Sequence, residues 1–404
     1  MRRLLSLLLI AQTGAAYAKD EGAERTSPTS NSAVAEDTLI WILPQDERAH
    51  GGMSIWAYQQ VWATLYDQDE SAQADPASYG DPELDTGFNI RRARLGVQGW
   101  LPLGNESAEH LQIDYALSVG VASPYDALTE ADSDIQLVDA YTRVVAPFHK
   151  QVFATSVGAQ RVPFNRESLM TSSTLLFQER AVGSAWMTPG RSVGVLASHK
   201  LATGSEDGSL LTQLGAYNGT PDLFGDDQEG MLLAGRVEWM KGRAYQSWDP
   251  DGDSAFGIGL AGRVDQAAAT RTTGFGADLL ARAAHFTLMA EVQQDLTEPT
   301  LTDVLRPAVP ADTERLSYMA QLSRFVALEG ASGLEVGARF ASFDDASGFD
   351  DAGDMWTAHG GVTWRNVWPF FDLGAGYIHR GEWSGSEQAN DSVRMWMQVR
   401  GSSR

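Results

Sequence analysis

The chain has 404 residues, a formal net charge of -23 and no cysteine. Such acidity disfavours nucleic acid as a partner, and the missing thiols exclude disulfides, thiol chemistry and cysteine-ligated metals. Hydrophobic residues make up 43%, too few for a helical membrane protein but ordinary for a barrel whose strands show lipid only every second side chain.

Met1-Arg2-Arg3, the apolar run Leu4 to Ile10 and the small-residue site Ala16-Tyr17-Ala18 read as a secretory signal peptide over residues 1–18. Residues 19–50 are polar and weakly patterned, and read as a flexible N-terminal tail. No later stretch approaches 18 continuous apolar residues, so a membrane could be crossed only by strands.

From residue 51 to 400 the chain predicts an all-β fold, a 16-stranded antiparallel transmembrane barrel, with 401–404 as a C-terminal tail. Leu111-Gln112-Ile113-Asp114-Tyr115-Ala116-Leu117-Ser118-Val119 shows the pattern most clearly. Alternate side chains of a strand point to opposite faces, which sends Leu111, Ile113, Tyr115, Leu117 and Val119 to lipid and Gln112, Asp114 and Ser118 to the interior. Strands are predicted to begin near Ser54, Phe88, Leu111, Gln136, Gln151, Ser192, Leu210, Met231, Ala255, Thr272, His285, Arg315, Leu334, Trp356, Pro369 and Ser392.

The connections alternate between long and short, as outer-membrane barrels require of external loops and periplasmic turns. Two break the rule: residues 264–270 should be external but are few, and 241–254 should be periplasmic but are many. Trp56, Tyr58, Trp62, Tyr66, Trp239, Trp356, Trp364, Trp368, Trp383 and Trp396 are expected to form interfacial girdles.

The same alternation turns Arg92 and Arg94 inward, with Arg236 and Glu238, Asp278 and Arg282, and Glu335 and Arg339. An arginine facing lipid at mid-depth would cost about 2–4 kcal/mol. Inward arginines, Arg161 among them, are candidate pore-lining and anion-binding groups. They can equally pair with inward acids such as Asp114 and Asp139 in a network that stiffens the wall.

Asn89-Ile90-Arg91-Arg92-Ala93-Arg94-Leu95-Gly96, Gly158-Ala159-Gln160-Arg161-Val162-Pro163-Phe164-Asn165-Arg166-Glu167 and Phe177-Gln178-Glu179-Arg180, followed by Pro189-Gly190-Arg191-Ser192, resemble the phosphate-selective porin O/P family of Gram-negative outer membranes. The likeness implies a homotrimeric outer-membrane diffusion porin that passes small hydrophilic solutes or ions, anions such as phosphate included, in contact with outer-membrane lipid and without a cofactor. It also implies that the third external loop, Val162 to Arg191, folds inward, which makes Arg166, Glu167, Glu179, Arg180 and Arg191 candidates for a constriction.

Two features depart from that family. The predicted first, second and seventh external loops are acidic and hold neither Lys nor Arg, and the chain ends Gly401-Ser402-Ser403-Arg404 where an aromatic residue is usual. Asp249, Asp251 and Asp253 space three carboxylates around Gly252, yet lack the later Glu of an EF-hand loop, so an acidic turn is the better reading than a metal site. No HExxH, GxSxG or P-loop motif appears, and Ser198 and His199 point to opposite faces, which argues against an enzyme. The alternative to a porin is a plugged barrel with an adhesive or enzymatic role.

Overall fold

A computed structural model describes residues 51–68, 87–103, 111–122, 135–177, 179–203, 208–219, 230–267, 270–299, 312–328, 332–347, 354–368, 370–383 and 390–402, all within one compact unit, Val34–Arg404. The expected signal peptide and N-terminal tail and most of the acidic loop residues lie outside the described residues.

Sixteen strands, β1 to β16, each pair antiparallel with the next, and β16 closes on β1. In order they are Gly52–Gln68, Gly87–Leu103, Leu111–Ala122, Gln136–Phe148, Gln151–Arg161, Arg191–Ala202, Gly208–Tyr217, Leu232–Lys241, Ala255–Gln266, Thr270–Ala283, Phe286–Pro299, Thr313–Ala327, Gly333–Asp344, Met355–Trp368, Phe371–Glu382 and Asn390–Ser402. Closure leaves no row of unpaired backbone groups to face hydrocarbon. The last strand runs two residues past the expected end at 400: Gly401 pairs with Ala57 and Ser402 with Trp56.

The alternation of β3 falls as the sequence requires, with Leu111, Leu117 and Val119 exposed on the outside and Gln112, Asp114 and Ser118 buried within. In β2 the phase changes. Gln60 pairs with Arg92 but Val61 with Ile90, so Arg91 is the extra residue of a bulge. Ile90 and Leu95 therefore both face out, while Arg91 and Arg92 both turn inward.

The expected aromatic girdle needs correction at four positions. Met53, Ile55 and Leu65 take the lipid side of β1, so Trp56, Tyr58 and Trp62 point into the barrel and are buried, as is Trp396. Trp56 stands opposite Gly96 and Trp396 opposite Gly374. Each ring lies so close over its glycine that a Cβ there would overlap it, an arrangement that fills the gap a glycine leaves in a sheet. Trp364, Trp368 and Trp383 do remain on the exposed face.

Both exceptional connections are real. The external link between β9 and β10 spans only 267–269, and the β8–β9 connection on the short-turn rim spans 242–254.

Candidate pore constriction

The connection between β5 and β6, here called L3, leaves the wall at Val162-Pro163, where proline cannot donate to the ladder. It forms a short helix α1 (Arg166–Leu169), a 3-10 turn (Ser172–Thr174) and a second helix α2 (Val182–Trp186). Asn165 caps α1 by accepting from the Ser168 amide, and Thr171 caps the 3-10 turn through the Ser173 amide.

L3 does not rise away from the barrel; it lies inside. Met170, Leu175, Ala181, Val182 and Met187 pack on Leu280, Met289, Met319, Ala341, Phe343 and Met355, the inward side chains of β10 to β14. This part of the inner wall is apolar because the loop covers it, and each fully buried side chain of this size contributes about 1.5–3 kcal/mol. Gly183 of α2 sits against Ser317 of β12 so closely that a Cβ would overlap the hydroxyl.

Polar anchors flank that core. Arg339 on β13 donates to Glu167 Oε1 at 2.9 Å and to the Glu179 carbonyl at 2.9 Å. Glu167 accepts from the Ala181 amide through its other oxygen, at 2.8 Å. Glu291 on β11 accepts from Asn165 and Ser184. Arg365 on β14 reaches the Leu175 carbonyl at 2.9 Å, and Gln398 on β16 the Ser173 carbonyl at 3.0 Å. Arg166 lies fully buried between Glu238 and Asp278, 2.5 and 2.9 Å away.

The far end of L3 meets the arginines that the β2 bulge turns inward. Arg91 and Arg92 donate to one oxygen of Glu179, at 2.8 and 2.6 Å. Burial alone would raise the Glu179 carboxyl, but these two guanidiniums hold it well below the usual carboxylate range. Its anchoring is therefore fully present above the ordinary glutamate value and is lost only as pH falls through the lower folded value. A single-channel trace at pH 4, just below the ordinary glutamate value of about 4.3, should match that at pH 7; loss of the L3-dependent conductance at pH 4 would contradict the bridge.

Beyond Glu179 the wall strands carry Arg143 paired with Asp114 at 3.0 Å and Arg191 paired with Asp139 at 2.9 Å. Arg161 donates to the Met170 carbonyl, and Arg180 to those of Glu167 and Met170, satisfying carbonyls at the end of α1. Burial, with Arg161, Arg92 and Arg191 nearby, pushes the Arg180 guanidinium down to about 9. It stays charged at neutral pH. Six guanidiniums (Arg91, Arg92, Arg143, Arg161, Arg180, Arg191) meet four carboxylates (Asp114, Asp139, Glu167, Glu179) in this zone of the described residues.

A model of the family described as phosphate-selective porin O and P matches residues 68–245, from the end of β1 into the β8–β9 connection and across all of L3. The likeness to the phosphate-selective porin O and P family thus takes in β2 to β8 together with L3. Solved structures similar to the whole porin barrel include an anion-selective porin from Comamonas acidovorans, 13% identical, covering 88% of this chain and 100% of that one with a TM-score of 0.58. The outer-membrane channel DcaP of Acinetobacter baumannii is 13% identical over 88% of this chain and 98% of its own, with a TM-score of 0.52. The Vibrio cholerae outer-membrane protein OmpT, in a trimer form, is 10% identical over 87% and 99%, with a TM-score of 0.53. At such identities the likeness speaks for the fold. No curated protein sequence matches the chain. Family and fold together make this an outer-membrane porin barrel.

Within that porin barrel the candidate arginines divide. Arg92, Arg161, Arg180 and Arg191 gather at the Glu179 end of L3, joined by Arg91, which simple alternation puts on the lipid face. Only the consecutive basic pair flanked by out-of-phase Ile90 and Leu95 hints at the bulge. Arg94 follows Arg92 on the inner side of β2, opposite Tyr58 and Gly120. Arg236 is fully buried and bonded to Asp278 and to the Phe164 carbonyl. Arg339 holds Glu167, and Arg282 donates to the carbonyls of Asp253, Gln246 and Trp248. These last three position chain segments.

Asp249, Asp251 and Asp253 bring carboxylate oxygens within 4.8 Å of one another. Asp249 accepts from the Asp251 amide at 3.0 Å and lies 3.4 Å from Arg282 and 3.5 Å from Arg243. Its charge is thus neutralised by protein, as an acidic turn requires. Arg365, paired with Glu335 at 2.6 Å and with Asp372 at 3.4 Å, is an anchor that the sequence reading passes over, although the alternation of Thr357, His359, Thr363 and Arg365 with Trp356, Ala358, Val362 and Trp364 is a signal that could have turned it inward.

Proposed function

We propose that the chain is a passive diffusion channel of the Gram-negative outer membrane, admitting small hydrophilic solutes and favouring anions, phosphate among them. One observation carries the reading: L3 covers the inner wall of β10 to β14, and the zone where it faces β2, β4, β5 and β6 holds more guanidinium than carboxylate. Fixed positive charge in a confined, partly dehydrated passage concentrates anions and repels cations. No proton transfer or nucleophile is required. The trimer form of the similar Vibrio protein supports a homotrimer here, which a native mass of the detergent-solubilised protein checks.

The deciding measurement is the zero-current potential across a planar bilayer in a potassium chloride gradient. Its sign should show chloride preferred over potassium, and Arg180→Glu should reduce or reverse that preference. A cation-preferring wild type would overturn the anion assignment. Absence of stepwise conductance from purified protein would favour a plugged barrel that acts through its loops.

A further inference from the structure

On the rim of short turns, the β8–β9 connection is long because it turns into the lumen. Ala244, Ser247, Trp248 and Asp249 are buried, whereas Asp251, Asp253 and Ser254 remain exposed. Trp248 stacks on the inward Phe325 of β12, ring centroids 5.2 Å apart. The guanidinium of Arg365 sits 5.6 Å from the same indole. Arg282 clamps the segment from behind through the three carbonyls it binds.

This segment also touches L3. Ser247 Oγ donates to the Thr174 carbonyl at 2.7 Å, in the 3-10 turn. Arg166 of α1 donates to the Ala244 carbonyl at 2.8 Å and stacks over Tyr245 at 5.0 Å. Tyr245 packs against the apolar core under L3 and donates to Glu238. The same Thr174 carbonyl also accepts from Arg365 at 3.4 Å. The 3-10 turn of L3 is thus gripped between the β14 wall and a segment arriving from the opposite mouth of the barrel.

We propose that the β8–β9 connection is a brace that fixes the constriction loop from the short-turn side, with Arg282 and Trp248 as its positioning residues. On the channel reading above, L3 then takes its place from two ends, and the solute cutoff depends on residues that no external solute meets first. A loop held only by its own strands could fluctuate; a loop bonded to a second inserted segment opens only when both let go.

The absence of cysteine gives a clean reporter. Ala181→Cys, buried in the L3 core, is placed in the full-length barrel reconstituted in detergent or vesicles, and its maleimide labelling rate is followed. Trp248→Ala, Arg282→Gln and the milder Ser247→Ala are compared in that background, with heat-modifiable gel mobility confirming a folded barrel. Labelling should quicken about fivefold for Ser247→Ala, the factor that a lost hydrogen bond of about 1 kcal/mol gives a local opening equilibrium, and more for the other two. Single-channel conductance should rise in parallel and admit larger polyethylene glycols. Unchanged labelling and conductance in folded Ser247→Ala and Trp248→Ala barrels would overturn the brace. A wild type that never conducts would overturn the channel reading, while labelling would still decide the brace.

Discussion

Glu167→Ala is expected to loosen L3 while the barrel stays closed. The Glu167 carboxylate is fully buried, pairs with Arg339 and accepts the Ala181 amide. Its loss leaves a guanidinium and an amide without a carboxylate in a dry site. Removing one member of a buried pair costs about 3–5 kcal/mol, chiefly because the remaining charge is stranded. That energy falls on the placement of L3, since every strand keeps its ladder. Single-channel recordings should show larger, noisier openings and weaker ion preference, with unchanged heat-modifiable mobility on gels. Glu167→Gln, which can still accept the amide, should lie between the two. A quiet channel of wild-type size from Glu167→Ala would show that L3 is held adequately by its apolar core.

Asp278→Ala should instead strike the barrel wall. Asp278 on β10 is bonded to Arg236 by both oxygens and lies 2.9 Å from Arg166, with Glu238 completing a buried quartet whose side chains are almost wholly inaccessible. Taking out this carboxylate leaves two guanidiniums facing Glu238 alone, again a penalty of about 3–5 kcal/mol. Here the quartet ties β8 to β10 across β9 as well as to L3. The expected result is a marked fall in the temperature at which the barrel loses its compact gel form, and a lower yield on refolding. Asp278→Asn with Arg236→Gln, which removes a charge of each sign, should recover part of the loss. Unaltered heat resistance of Asp278→Ala would contradict the role assigned to the quartet.

Much of this was legible in the residues because one physical rule, alternation across a lipid boundary, governs all sixteen strands. Every predicted strand start lies within two residues of the observed one, as with Ser54 against Gly52 and Thr272 against Thr270. The rule fails where the interior stops being water. Met289, Met319, Phe343 and Met355 point inward although apolar, since L3 provides them with a dry neighbour. Trp56 and Trp396 mislead for a related reason: they fill space over Gly96 and Gly374 of neighbouring strands, a pairing visible only once register is known. The bulge at Arg91 adds one residue to β2 and reverses its phase midway. What each arginine binds depends on contacts far apart in the chain, which local pattern cannot supply.

Those distances bear on how the barrel is built. Gln398 meets L3 across 225 residues of sequence, and Arg365 across 190. Glu179 reaches back 88 residues to Arg91. The seam itself joins the first strand to the last, with Arg394 of β16 lying 4.1 Å over the Trp62 ring of β1 and Arg91 approaching the same ring. Hairpins of neighbouring strands can form as the chain emerges, but the constriction is an assembly of high contact order. Its last ligands exist only after β16 has reached β1, so the seating of L3 is the part of the molecule that the chain completes at the end of its folding.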